Sequence, residues 1–156
     1  MDSHLYNVNI TWNSDRKGMM CSPELNAVAP DSCLEVATPP EFPKGMAGIW
    51  SPEHLFTAAV SSCFMTTFLS IAENSKLGFK SFECKAKGKL EKVDGQLQMT
   101  EVVLEPVVTI LIPEDREKTL RILSKTEAAC LITNSIKSKV SMKPVVDVGS
   151  AVRVNT

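Results

Sequence analysis

The sequence predicts an α+β fold, with antiparallel strands around one long central helix. Three observations carry this. Ser51 to Lys76 repeats apolar residues at helical spacing. Asp94-Gly95, a tight-turn pair, separates two stretches that alternate in part, as paired strands do. The elements run strands, helix, hairpin, helix, strand. At 156 residues the chain is read as one domain, 1–156, able to bury a core.

Leu5 to Trp12 alternates loosely, with Tyr6, Val8, Ile10 and Trp12 on one side, and predicts a half-buried strand. Asn13 to Gly18 is a turn by composition. Met19 to Cys21 is expected to return as a hairpin partner, and Cys33 to Ala37 to form a third strand. Thr38 to Trp50 holds Pro39, Pro40, Pro43, Gly45 and Gly48 and predicts a long ordered loop.

The central helix opens with start signals. Ser51 offers an oxygen to an orphan N–H, Pro52 lacks the N–H that would go unpaired, and Glu53 suits the positive end. Phe56, Val60, Phe64, Phe68 and Ala72 then recur every fourth residue, and Gly78 is the expected stop. Leu55, Ala59 and Ile71 broaden the apolar face. A helix apolar on more than one face needs cover from two sides, more than one small sheet per chain is expected to supply, which hints at a dimer.

Residues 79–112 predict a hairpin of long strands, with Pro106 marking a bulge or a sheet edge. Glu114 to Ala128 predicts a second helix with Leu120, Leu123 and Ala128 on one side. Leu131 to Lys137 is read as a short separate helix with Cys130 at its N-terminus, where free N–H groups favour a thiolate. Ser141 to Val148 is expected to be the last strand, followed by a featureless tail.

The net charge is −1, with both signs interspersed. No basic stripe asks for nucleic acid. Met1 to Ile10 has no basic segment leading into an apolar run, so no secretory signal is expected. Ser61, Ser62, Cys63, Thr66, Thr67 and Ser70 interrupt the central helix, which is expected to be too polar for a membrane. The five cysteines, Cys21, Cys33, Cys63, Cys84 and Cys130, are odd in number and form no C-x-x-C. A disulfide framework and a zinc site are not expected, and a cytoplasmic protein with at most one functional thiol pair is. On its own segment, Cys63 reads first as a buried space-filler, and Cys130 reads equally as an ordinary buried cysteine at a helix junction.

Ser51-Pro52-Glu53-His54-Leu55-Phe56, then Ala58-Ala59 and Cys63-Phe64, resembles the central-helix signature of the osmotically inducible protein C / organic hydroperoxide resistance (OsmC/Ohr) family. The Cys130 segment, with Asn134 and Ile136-Lys137, resembles the family's second-cysteine motif. Asp15-Arg16-Lys17-Gly18 resembles its Arg-containing turn. Two positions depart from the pattern: Leu131 stands where the family usually has Pro, and the turn is not Gly-rich. The chain therefore looks like a broader OsmC-like member.

The resemblance implies an OsmC-like fold in an intertwined homodimer and a cysteine-based peroxidase for organic hydroperoxides, with hydrogen peroxide a further substrate. It makes Cys63 the peroxidatic and Cys130 the resolving cysteine, with Arg16 and Glu53 as the charged pair that orients the peroxide. An arginine suits the task because guanidinium stays charged and donates several hydrogen bonds. Without the resemblance, Arg16 is a solvated turn residue and Glu53 a helix-dipole partner. Phe56, Phe64 and Met65 are candidate contacts for a bulky organic peroxide, or plain core. No cofactor or metal is implied; the expected reductant is a dithiol, of lipoyl type by family. Cys21, Cys33 and Cys84 receive no role, and His54 is read as helix surface. The competing readings are a small-ligand binder and a redox sensor on the same fold.

Overall fold

The structure, a computed structural model, describes residues 1–150; the tail from residue 151 on lies outside the described residues. The chain divides into two compact units, Met1–Leu55 and the residues from Phe56 onward.

The first unit is a three-stranded antiparallel sheet of β1 (Asn9–Ser14), β2 (Lys17–Cys21) and β3 (Leu34–Ala37), in that order. The β1–β2 turn places Asp15 at φ 47°, a left-handed position that Asp tolerates. Gly18 is dictated by packing: a Cβ there would lie 2.5 Å from the Thr11 carbonyl oxygen. The first strand starts four residues later than expected, and the half-buried face is not found: Tyr6, Val8, Ile10 and Trp12 are all exposed, Trp12 at 74%. β1 is an edge strand, and alternation alone does not say which face is covered. The Pro-rich loop is ordered by backbone bonds, Ala37 N–H to the Trp50 carbonyl and Met46 N–H to that of Thr38.

One expectation is overturned here. Cys21 and Cys33 form a disulfide, with Cα atoms 4.5 Å apart. The register pairs Met19 with Glu35 and Met20 with Leu34, so the next rung brings the two cysteines opposite each other. Between β2 and β3 runs the short helix α1 (Pro23–Asn26). The cysteine count therefore no longer argues for a reducing compartment.

Helix α2 (Pro52–Asn74) leads from the first unit into the second. The Ser51 Oγ accepts the His54 N–H at 3.2 Å, the cap the sequence predicts. Its stop differs: Lys76, at φ 53°, takes the left-handed position expected of Gly78. Leu77 N–H then bonds the Ala72 carbonyl and Lys76 N–H that of Glu73, a Schellman closure with Leu77 buried. The Lys118 Nζ donates to the Lys76 carbonyl at 3.3 Å.

The second unit holds the core. β4 (Phe79–Val93) and β5 (Gln96–Ile110) form the expected hairpin across Asp94 and Gly95, both at positive φ. The last strand is two: β6 (Lys139–Met142) and β7 (Val145–Val148) both pair β5 in parallel, separated by Lys143-Pro144. Their pairing skips Pro106, which lies between Leu104, paired with Met142, and Val107, paired with Val145. The proline thus marks a break between partner strands in a central strand, with no bulge at that position.

Val60, Phe64, Phe68 and Ala72 of α2 share one core with Val102, Leu104, Val108 and Ile110 of β5. Each buried Phe is worth roughly 1.5–3 kcal/mol of transfer free energy. Phe68 stacks on Phe82 at 4.8 Å and meets Phe79 edge-on at 5.4 Å. A 3₁₀ turn (Pro113–Asp115) leads into α3 (Arg116–Ala129). α3 buries Thr119, Ile122, Leu123 and Thr126; Leu120 and Ala128, expected on one side with Leu123, face solvent. The threonines can be buried because their hydroxyls donate to the Asp115 and Ile122 carbonyls, both at 2.8 Å.

By length and mean hydropathy, 1.7 over its best window, α2 does qualify as a membrane span, contrary to expectation. Its Ser and Thr are too mild to offset Phe56, Phe64, Phe68 and the aliphatic residues between them, and a core helix of a soluble protein passes the same test.

Candidate functional site: the Cys63 thiol

Cys63 lies in mid-α2 beside the fully buried Phe64. One residue is 100° round a helix, so Cys63 leaves the core face and is half-buried. One turn further on, the Thr67 Oγ1 is 4.0 Å from its Sγ.

The other wall comes from the end of α3. The helix stops at Ala129, and Cys130 turns extended at φ −64°, ψ 110°. The short helix expected over Leu131 to Lys137 is only a 3₁₀ turn, Thr133–Ser135. That turn is held tightly. The Cys130 carbonyl accepts Asn134 N–H at 3.0 Å, the Leu131 carbonyl accepts the Ser135 hydroxyl at 2.8 Å, and the Asn134 side chain donates to the Ala128 carbonyl. Cys130, fully buried, closes α3 instead of opening a new helix.

The consequence is a reversal of roles. The N–H groups expected to serve Cys130 serve Cys63. Burial works to raise the Cys63 pKa. The backbone N–H of Ile132, the Cys130 side chain, the Thr67 hydroxyl and the backbone N–H of Leu131 outweigh it and hold the thiol below its ordinary value. Hydrogen bonds to sulfur favour the charged form, so this thiol is primed as a nucleophile. Cys84, in β4, goes the other way: burial pushes its pKa up. Among the free cysteines, then, the structure distinguishes Cys63 chemically and brings Cys130 to it.

The other expected residues are placed as follows. Arg16 is exposed in the β1–β2 turn of the first unit. Glu53 is half-buried in the first turn of α2, ten residues before Cys63. Phe56 is half-buried against the core, and Met65 is 39% exposed. Phe64 has no exposed surface and stacks on Phe82 at 6.3 Å, so it is a core side chain and not a surface where a peroxide could be met. His54 bonds Ser51 through Nδ1 at 2.7 Å and, with Gly48, Ile49 and Trp50, lines a shallow cleft of about 270 Å³ in the first unit. Among the described residues, no group of three or more His, Cys, Asp or Glu comes together as a metal site. Sequence reasoning missed Thr67 and the main chain of Leu131 and Ile132. Thr67, four residues from Cys63, could have been found by helical spacing.

No curated protein matches the chain. Solved structures share the fold. An OsmC-like protein of unknown function from Vibrio cholerae superposes with a TM-score of 0.80 at 23% identity, covering 92% of this chain and 100% of that one. The organic hydroperoxide resistance protein OsmC of Legionella pneumophila gives 0.72 at 20% identity, over 94% and 99%. The organic hydroperoxide resistance protein OhrB of Bacillus subtilis gives 0.66 at 20%, over 92% and 98%. The family model described as OsmC-like protein matches residues 45–144. The chain belongs to the OsmC-like family, and its fold is that of the OsmC and Ohr proteins.

Proposed function

We propose that the protein is a cysteine-based peroxidase that reduces organic hydroperoxides. The observation that carries this is the Cys63 thiol, held below its ordinary pKa with Cys130 among the groups that lower it. The Cys63 thiolate attacks one peroxide oxygen, the O–O bond breaks, and the alkoxide leaves and takes a proton. Cys63 is then a sulfenic acid. The Cys130 thiol displaces its hydroxyl as water, giving a Cys63–Cys130 disulfide, and two electrons from a dithiol, our candidate being of lipoyl type, restore both thiols. The proximity of Cys130 guards against over-oxidation, because condensation competes with the climb to sulfinic acid.

The names of the Legionella and Bacillus neighbours support hydroperoxides as the substrate class. The active form is a homodimer in this reading. The Met65 and Leu69 side chains, four apart on α2, leave 39% and 41% of their surface exposed, and a second copy would cover them. The dimer also supplies charge. Glu53 and Cys63 are roughly 15 Å apart along one helix axis at 1.5 Å per residue, too far for a Glu side chain. Glu53, with Arg16 held by it, would act on the partner's thiol. Turnover of cumene or tert-butyl hydroperoxide with dithiothreitol tests the reading; binding of peroxide without turnover would leave only a binder or a sensor.

A further inference from the structure

The Cys21–Cys33 disulfide belongs to no part of the chemistry above. Cys21 and Cys33 are both half-buried residues of the first unit. The bond has an asymmetric environment. The Asn26 Nδ2 donates to the Cys33 Sγ at 3.3 Å. The Asn26 amide is itself oriented, because its Oδ1 accepts the Ser32 hydroxyl at 2.5 Å. A donor aimed at one sulfur of a disulfide stabilises the negative charge that develops there when the bond breaks.

We propose that Cys21–Cys33 is a second, independent thiol–disulfide exchange site for low-molecular-weight thiols, with Cys21 the attacked sulfur and Cys33 the departing thiolate. The incoming thiolate forms a bond to the Cys21 Sγ. The Cys21–Cys33 bond breaks, and its electron pair goes to the Cys33 Sγ beneath the Asn26 amide, where it takes a proton from water. A second thiol, or the second arm of a dithiol, then releases Cys21 and carries away the oxidised reductant. Run backwards, the Cys33 thiolate attacks a mixed disulfide on Cys21 and recloses the bond.

The loop so closed carries more than a staple. The Glu24 carboxylate accepts the Ser22 hydroxyl at 2.7 Å and both the backbone N–H and side-chain amide of Asn7. The Ser22 bond first, then those of Asn7, hold its pKa at about 2. The N-terminal segment is thus tied to the loop, and the loop to the disulfide. Opening the bond loosens the tie and couples the first eight residues to the thiol pool.

The test uses the oxidised full-length protein under native conditions. It is treated with limiting 2-mercaptoethanol, quenched in acid, alkylated with N-ethylmaleimide and mapped by peptide mass spectrometry, which resolves these cysteines from Cys63 and Cys130. The expected result is the mercaptoethanol adduct on Cys21 and maleimide on Cys33. Asn26→Leu should slow reduction by dithiothreitol roughly threefold or more, as a poorer leaving group requires. An adduct mainly on Cys33, equal labelling of the two, or no adduct until the protein is denatured overturns the proposal. None of these outcomes bears on the peroxidase reading, which stands or falls on Cys63.

Discussion

Cys130, fully buried where α3 ends, is one of the groups that hold the Cys63 thiol of α2 below its ordinary pKa. Two thiols 67 residues apart in sequence are therefore neighbours before any oxidant arrives. One equivalent of hydroperoxide should give an intramolecular Cys63–Cys130 disulfide, seen by non-reducing peptide mapping. Cys130→Ser should instead accumulate sulfenic, then sulfinic acid on Cys63. A peroxide-induced bond from Cys63 to Cys84 would refute the pairing.

The Cys63 pKa is depressed, so its thiolate is present at lower pH than in an ordinary thiol, and the proportion charged falls as pH drops through that depressed value. Iodoacetamide labelling of Cys63 against pH should therefore have a midpoint below that of Cys84, whose pKa is raised. Leu131→Pro removes one backbone donor and should move the Cys63 midpoint upward. An unmoved midpoint in a folded variant would show that this N–H does not reach the sulfur.

Much of this site could be read from residue order, and the reasons for the rest are physical. The central helix was legible because its cap and its four-residue apolar repeat are local signals, and both are observed at Ser51, Val60, Phe64, Phe68 and Ala72. The loop after Cys130 was not. Ile132 and Ile136 suggest a helix, whereas Asn134 and Ser135 bond back to main-chain carbonyls and stop it after one 3₁₀ turn. The Cys21–Cys33 bond depends on strand register, which a twelve-residue spacing does not encode. Thr119 and Thr126 carry no local signal of burial, because it rests on bonds to the preceding helical turn.

Gly88 of β4 packs against Thr57 of α2 with no room for a side chain. A Cβ there would lie 2.1 Å from the Thr57 Oγ1 and 2.7 Å from the Met99 Cε. The methionine can swing away; the helix cannot easily retreat. Gly88→Ala should cost roughly 1–3 kcal/mol by overpacking. At roughly 2–4 °C per kcal/mol for a chain of this size, thermal melting should fall by several degrees. An unchanged melting temperature would mean that the contact relaxes freely.

If Glu53 acts on the partner's thiol, complementation follows. Cys63→Ser and Glu53→Ala are combined in one heterodimer. One site then carries both changes and the other neither, so about half the wild-type activity should return, as two isologous composite sites require. A silent heterodimer, or a monomer in solution, would exclude action in trans.

The central claim is that Cys63 is the attacking thiol. The most direct measurement is consumption of cumene hydroperoxide with dithiothreitol, comparing wild type with Cys63→Ser and Cys84→Ser. The account predicts turnover by wild type and by Cys84→Ser, and none by Cys63→Ser. Wild-type consumption by Cys63→Ser would contradict it.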